Sequence, residues 1–334
     1  MRPRRILRAL RVPAAVVVVL ALGLGAFGAI GVRASDHPTA PSRLGAPVGS
    51  RAMEAVMDQD GPVVVETVVS AEWKVERGGL VNLAHPTAKA EGLKDGLEPI
   101  QIFLHVLRHP TRGTFLIDTG VERALRDDPE RAAIRGMVAK AMHAEYLRVT
   151  RDTASVVAKE GAVSGVFFTH LHLDHVSGMP DVPRGTPLWA GPGETSQRFF
   201  LNAFVKGTTD RELAGHEPIQ EWGFARDPDG RFDGVIDVFG DQTVFAIATP
   251  GHTAGSTTYL ARTPSGPVLF VGDTCHTSWG WEHGVEPGDF TRDRPKNAES
   301  LARLRALVRE HPRVRVRLGH QHMAGGSAQL EAGL

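Results

Sequence analysis

Thr169-His170-Leu171-His172-Leu173-Asp174-His175 places three imidazoles and a carboxylate within six positions. These are the side chains that hold Zn²⁺ and related borderline metals. Residues 162–169 just before it carry Val163, Val166, Phe167 and Phe168 and read as a buried strand. If the backbone stays extended, His170 and His172 point to the same side, as residues i and i+2 do. Asp174 and His175 are neighbours at a turn or helix start and aim differently. One metal can take the first pair and a second metal the last.

Three later segments repeat a simpler arrangement. His252 lies in Thr249-Pro250-Gly251-His252-Thr253-Ala254-Gly255-Ser256 after the apolar run 244–248. Asp273 lies in Gly272-Asp273-Thr274 after Val268-Leu269-Phe270-Val271, and His320 follows Gly319 after 314–318. Each time a short apolar strand enters a glycine-bearing turn that presents one ligand-type residue. Glycine lets the backbone turn sharply and approach closely, and loops set on a rigid sheet are where site residues gather.

Together with Leu116-Ile117-Asp118-Thr119-Gly120, these stretches resemble, in order and kind, the metallo-β-lactamase superfamily over roughly residues 62–325. The resemblance implies an α/β fold, an αββα four-layer sandwich with a dinuclear metal site along one edge of its two sheets. It implies that His170, His172 and His252 hold one metal. Asp174, His175 and His320 would hold the other, with Asp273 bridging and Asp118 supporting the ligand loops from behind. Two divalent ions are expected, Zn²⁺ first, although the same ligands accept Fe, Mn or Co. Zinc lowers the pKa of bound water from 15.7 to about 7, so the expected reaction is hydrolysis by a metal-held hydroxide. Asp174 would take or return a proton as the leaving group departs. No Gly-x-Ser-x-Gly elbow suggests a serine nucleophile.

The bridging carboxylate narrows the expected reaction within the superfamily. Lactonases, thioester hydrolases and phosphoesterases keep it, whereas lactamase branches replace or lack it. The wider pattern is most similar to the acyl-homoserine lactonase-like group, including His109-Pro110 and the spacing from Asp273 to His320. Where well-known members of that group carry tyrosine, three positions past the bridging aspartate, this chain has His276. That histidine is similar to exported organophosphate hydrolases, and here it reads as a catalytic or substrate-contacting residue. Trp279 and Trp281 follow closely and read as substrate contacts for an apolar or acylated small molecule. Phe199, Phe200 and Phe204 divide between that mouth and the core. Lactone or other carboxylic ester hydrolysis leads. Lactam or phosphoester hydrolysis is the alternative on the same site, and a non-hydrolytic iron oxidoreductase comes third.

Composition bounds the rest. The chain has 334 residues with 38 basic and 38 acidic side chains. Arg2, Arg4, Arg5, Arg8 and Arg11 precede an uncharged stretch, 12–32, and Val32-Arg33-Ala34 offers a small-residue cleavage site. Residues 1–34 thus read as an export signal or an N-terminal membrane anchor, because about 20 apolar residues span a bilayer. The arginines would stay on the cytoplasmic side and the body would lie periplasmic or extracellular. Without those 34 residues, 32 basic groups face 38 acidic ones, a net charge of about −6. This argues against a nucleic-acid partner, for which basic surfaces are usual. Membrane contact is expected through the N-terminal segment alone, and self-association stays open.

Residues 35–61, rich in Pro, Gly, Ala and Ser, read as a flexible linker before a hydrolase domain at 62–330. Strands are expected at 63–69, 100–107 and 115–118, with a polar excursion over 72–98. Helices are expected at 121–143, 152–159, 194–205 and 297–308, the last with Leu301, Leu304 and Leu307 on one face. Cys275, the one cysteine, reads as a buried small apolar residue. His320 is preferred to His322 as the final ligand.

Overall fold

The computed structural model describes residues 31–323, so the expectation of a signal or anchor falls, up to residue 30, outside the described residues. Sixteen strands are formed among those described. In chain order they are β1 (Val32–Arg33), β2 (Thr39–Pro41), β3 (Ala46–Val48), β4 (Val64–Glu76), β5 (Leu97–His109) and β6 (Gly113–Ile117). There follow β7 (Arg148–Val149), β8 (Gly165–Phe167), β9 (Leu188–Ala190), β10 (Arg198–Phe199) and β11 (Ile219–Glu221). The last five are β12 (Val235–Asp237), β13 (Val244–Ala248), β14 (Thr257–Thr263), β15 (Gly266–Phe270) and β16 (Arg315–Arg317).

An eight-stranded sheet runs β2-β11-β9-β8-β6-β5-β4-β7 and a six-stranded sheet runs β16-β15-β14-β13-β12-β3. The period of two along each strand decides the layering. Val244 and Ala246 of β13, with Val268 and Phe270 of β15, meet Leu107, Phe115, Ile117, Phe167 and Trp189 of the first sheet. Their neighbours Phe245, Ile247 and Leu269 face the other way, against Leu301, Leu304 and Leu307 of the helix Arg294–Glu310. On the far side of the first sheet, Leu104, Leu116, Val166 and Phe168 pack on Val156, Val176 and Met179. Helices, sheet, sheet and helices make the four-layer αββα sandwich. The inter-sheet layer also satisfies its polar atoms: Trp222 Nε1–H donates to Tyr259 Oη at 2.9 Å, and Tyr259 donates to the Phe168 carbonyl at 2.9 Å.

Residues 35–61 are not a linker. β2 pairs in parallel with β11, β3 pairs antiparallel with β12, and the helix Ser50–Met57 buries Met53 and Met57. Proline disguised the two strands. Pro41 and Pro47 sit on the outermost strand of each sheet, where a missing N–H costs no ladder bond.

Other boundaries also moved. The excursion expected at 72–98 is shorter, because β4 runs on to Glu76 and β5 starts at Leu97, paired with a register shift between Val69 and Ala71; the connection between them, 77–96, carries the short helices Arg77–Leu80 and Pro86–Ala90. The long helix expected at 121–143 is two short ones, Ala124–Asp127 and Gly136–Ala141, interrupted by Pro129 and by Gly136 at φ +62°. The expected 194–205 helix begins as β10 and becomes the helix Asn202–Glu212.

Candidate metal centre

Five loops leave the ends of β6, β8, β13, β15 and β16 at one edge of the sandwich, where sheet-based folds commonly place their sites. From β8 come His170 and His172, after which the short helix Leu173–Val176 carries Asp174 and His175. One ligand atom each of His170, His172, His252 and Asp273 lie within 4.8 Å of one another, as do those of Asp174, His175, Asp273 and His320. Asp273 belongs to both groups. Its Oδ2 lies 3.6 Å from His170 Nε2, 3.4 Å from His252 Nε2, 3.3 Å from His175 Nε2 and 3.2 Å from His320 Nε2.

Two of these loops require glycine. At Gly251, with φ +143°, a Cβ would meet the backbone N of Asn297 at 2.3 Å. At Gly319 a Cβ would lie 2.0 Å from Asp273 Oδ1, so the loop bearing His320 can pass this close to the shared carboxylate only as glycine.

The donor set suits divalent cations. His170 Nε2, His175 Nε2 and Asp273 Oδ1 are buried without a hydrogen-bond partner, which is costly unless something outside the chain satisfies them. Imidazole nitrogens and carboxylate oxygens are the ligands such ions take.

A surrounding layer fixes the ring orientations, as outer partners of metal-bound histidines do. His175 Nδ1–H donates to Asp118 Oδ2 at 2.8 Å, and the same carboxylate accepts from the Thr169 N–H and hydroxyl, each at 2.8 Å. Asp118 holds φ +54°, an uncommon backbone for a residue with a Cβ. His320 Nδ1–H donates to the Gln101 carbonyl at 2.9 Å, and His252 Nδ1 lies 3.0 Å from Thr291 Oγ1.

Electrostatics divides the cluster. Burial pushes His170 and His252 well below their ordinary pKa and His172 to about 4, leaving neutral rings with lone pairs to offer. Burial also opposes charge on His175 and His320, but the aspartates win: Asp273, Asp118 and Asp174 raise His175, and Asp273 with Asp174 lifts His320 to about 10. Burial likewise works against the Asp273 carboxylate, yet His276, His320, His175 and His170 hold it well below the carboxylate range. A divalent cation would replace those protons as the compensating positive charge.

All seven expected ligand residues converge, and Asp118 lies behind them. His276 joins them: its Nε2 is 2.9 Å from Asp273 Oδ2, and its Nδ1 is 3.1 Å from the Leu80 carbonyl oxygen. Trp279 is half-buried at the edge of the cluster containing Leu80 and Ile100, stacked on His283 at 4.3 Å. Trp281 departs from expectation, being packed in the outer core beside Cys275 and Leu301 and therefore unable to touch a substrate. Its position follows from the helix Ser278–His283, which turns residues two apart to different faces. Phe200 and Phe204 are 49% and 71% exposed, so neither is core. Cys275 is buried as expected, its thiol pushed up to about 12 by burial. His322 lies edge-on to Phe103 rather than among the ligand groups.

Sequence reasoning missed Glu194 and Asn297. Glu194, 1% exposed, accepts from the Leu171 N–H at 2.9 Å, the Gly255 N–H at 2.8 Å and the Thr253 hydroxyl at 2.5 Å. It clamps the loops bearing His170, His172 and His252, and burial lifts its carboxyl to about 7 despite those donors. Asn297 accepts from the His252 N–H at 3.0 Å and donates to the Thr274 carbonyl at 3.0 Å, tying the His252 and Asp273 loops to the long helix. Neither lies in a ligand-like pattern; only the fold brings them here.

Residues 97–320 match the metallo-beta-lactamase superfamily. The N-acyl homoserine lactonase AttM of Agrobacterium fabrum is 32% identical over 150 residues, 45% of this chain and 55% of that protein. An AttM of Azorhizobium caulinodans is 29% identical over 230 residues, 66% of this chain and 81% of that one. The crystal structure of a quorum-quenching N-acyl homoserine lactone hydrolase superposes with a TM-score of 0.53 at 18% identity, covering 78% of this chain and 94% of that one. The chain spans about half the length of the Agrobacterium relative, and the structural likeness speaks for the fold. The family match covers more than half of the chain and takes in every residue of both ligand groups: this chain belongs to the metallo-beta-lactamase superfamily.

Proposed function

We propose that this protein hydrolyses a lactone or another carboxylic ester at a pair of divalent metal ions. The observation that carries it is the placement of Asp273 Oδ2 within 3.6 Å of four imidazole nitrogens drawn from both ligand groups. His170, His172 and His252 would hold one ion, and Asp174, His175 and His320 the other, with Asp273 shared. When bound, zinc supplies Lewis acidity that brings the pKa of water from 15.7 to about 7.

The chain's own groups do the remaining work. Asp174 keeps 17% of its side chain open, so it can take a proton at the mouth and return it to the departing alkoxide. The Leu80 carbonyl orients His276, which lies beside Asp273 where it can contact a substrate oxygen. Half-buried Trp279 offers an apolar flank for an acyl group.

A substrate panel tests this reading. With purified full chain, acyl homoserine lactones and simple esters should give the highest kcat/KM, and chelation should abolish it. Preference for nitrocefin, or no ester turnover in metal-loaded protein, would overturn the assignment. Phosphotriester hydrolysis is the second reading because His276 stands where lactonases of the group carry tyrosine; a paraoxon-type substrate outrunning every carboxylic ester would establish it. The body is further proposed to work outside the cytoplasm, on the basis of the basic start and uncharged 12–32 stretch. A phosphatase fused after residue 323 should be active only if exported.

A further inference from the structure

An uncharged stretch of sequence runs directly into the first strand. Residues 12–32 carry no charge, and Val32 is already the first residue of β1, paired with Phe199 of β10. No spacer separates the two in sequence, so the proposed membrane entry of this stretch would set the bilayer beside β1 and β10. An uncharged, apolar run of about 20 residues is the length that spans a bilayer.

The surface at this point has an unusual composition. Phe200 directly follows the paired Phe199 and is 49% exposed; Phe204, one helical turn on, is 71% exposed. The helix Gly136–Ala141 packs beside the helix Asn202–Glu212 and presents Met137, 88% exposed. These three account for half of the large apolar residues exposed among the described ones. Arg33 and Arg198 are both exposed and opposite one another in the β1–β10 register. Aromatic and apolar tips ringed by arginine are how proteins sit in the headgroup region, rings in the acyl boundary and guanidinium groups at the phosphates.

We infer that Phe200, Phe204 and Met137, with Arg33 and Arg198, form a surface on which the catalytic body rests against a lipid bilayer. The inference depends on the proposed membrane entry of 12–32. It has a consequence for substrate. The helix Asn202–Glu212 also packs against the helix Leu173–Val176, which bears Asp174 and His175. A body resting on this surface would hold the helix that bears Asp174 and His175 one helix away from the bilayer, so that an acylated substrate dissolved in the lipid would approach from that side.

The test uses the full chain in phosphatidylethanolamine–phosphatidylglycerol vesicles. Phe204→Cys is labelled with a small environment-sensitive fluorophore; the native thiol, Cys275, is 1% exposed and stays unlabelled. Ala302→Cys, exposed on the helix covering the other sheet, serves as control. The expected result is quenching of the label at 204 by doxyl lipid and protection from aqueous iodide, with the reverse at 302. Vesicle-bound protein whose label at 204 is reached by iodide and not by doxyl lipid would overturn this inference while leaving the membrane segment in place. Protein that fails to float with vesicles would overturn both. A shift in emission that follows protein concentration without lipid would assign the patch to a second copy and overturn it as well.

Discussion

Asp273 is the residue on which the site turns. Its carboxylate meets both ligand groups, and His276 approaches the same oxygen at 2.9 Å. Asp273→Asn should therefore cut metal content and lower turnover to the level of chelated protein, as read by elemental analysis alongside ester kinetics; a fully active variant with normal metal would refute the shared-ligand role. Asp118 acts one step back, through His175. Asp118→Asn should weaken metal affinity by about 10–100-fold, measured by competition with a chromogenic chelator, while leaving the fold intact by circular dichroism. The ligand residues were legible in the sequence because their type and spacing are local properties. Glu194 was not, since its three donors come from Leu171, Thr253 and Gly255, segments that only the folded chain brings together. Trp281 misled because its distance from Asp273 along the chain says nothing about the helical face on which it falls.

At the level of elements, strands that end in ligand loops were readable as short apolar runs, and β8, β13, β15 and β16 lie where those runs stand. The helix Arg294–Glu310 likewise showed its leucine stripe. Elements decided by partners were harder. Residues 35–61 look like a tether by composition, yet the helix Ser50–Met57 drives two methionines into the outer core at 0% exposure. Met53→Ala should cost about 2–5 kcal/mol, checked by urea denaturation; no change would return the segment to a linker. The helix Asn202–Glu212 carries a conflict of its own. Glu212 is fully buried with neither carboxylate oxygen bonded, and burial, with Glu122 and Asp174 adding to it, raises its pKa well above 4.5. The folded acid stays protonated while the unfolded one ionises above about pH 4.3, so this group withdraws stability as pH rises from there. Glu212→Gln should gain stability relative to the parent at pH 8 and lose most of that gain by pH 5. A difference in melting temperature independent of pH would contradict the assignment.

As a whole molecule, the protein is a scaffold of two sheets whose shared edge gathers charge that the chain cannot neutralise alone. His175 and His320 sit among three aspartates, while His170, His172 and His252 are kept neutral by burial. The sandwich itself was legible through the family resemblance that the order of the motifs carries; the placement of each motif after a short apolar run said only that strand ends present the ligands. What surrounds that edge was not: the Leu80 carbonyl beside His276 and the helix Asn202–Glu212 against the helix bearing Asp174 and His175 are brought there by the fold and carry no pattern of their own. Binding of metal to the folded state alone should stabilise it by RT ln(1 + [L]/Kd). The melting temperature should thus fall on dialysis against a chelator and recover on adding zinc.

The most direct test of the central claim is metal content measured together with lactone hydrolysis on the same purified sample, before and after chelation and after zinc is restored. Two metal equivalents per chain are expected, with ester turnover that vanishes as they are removed and recovers in proportion to the zinc returned. Turnover unchanged in protein shown by elemental analysis to be free of metal would contradict it.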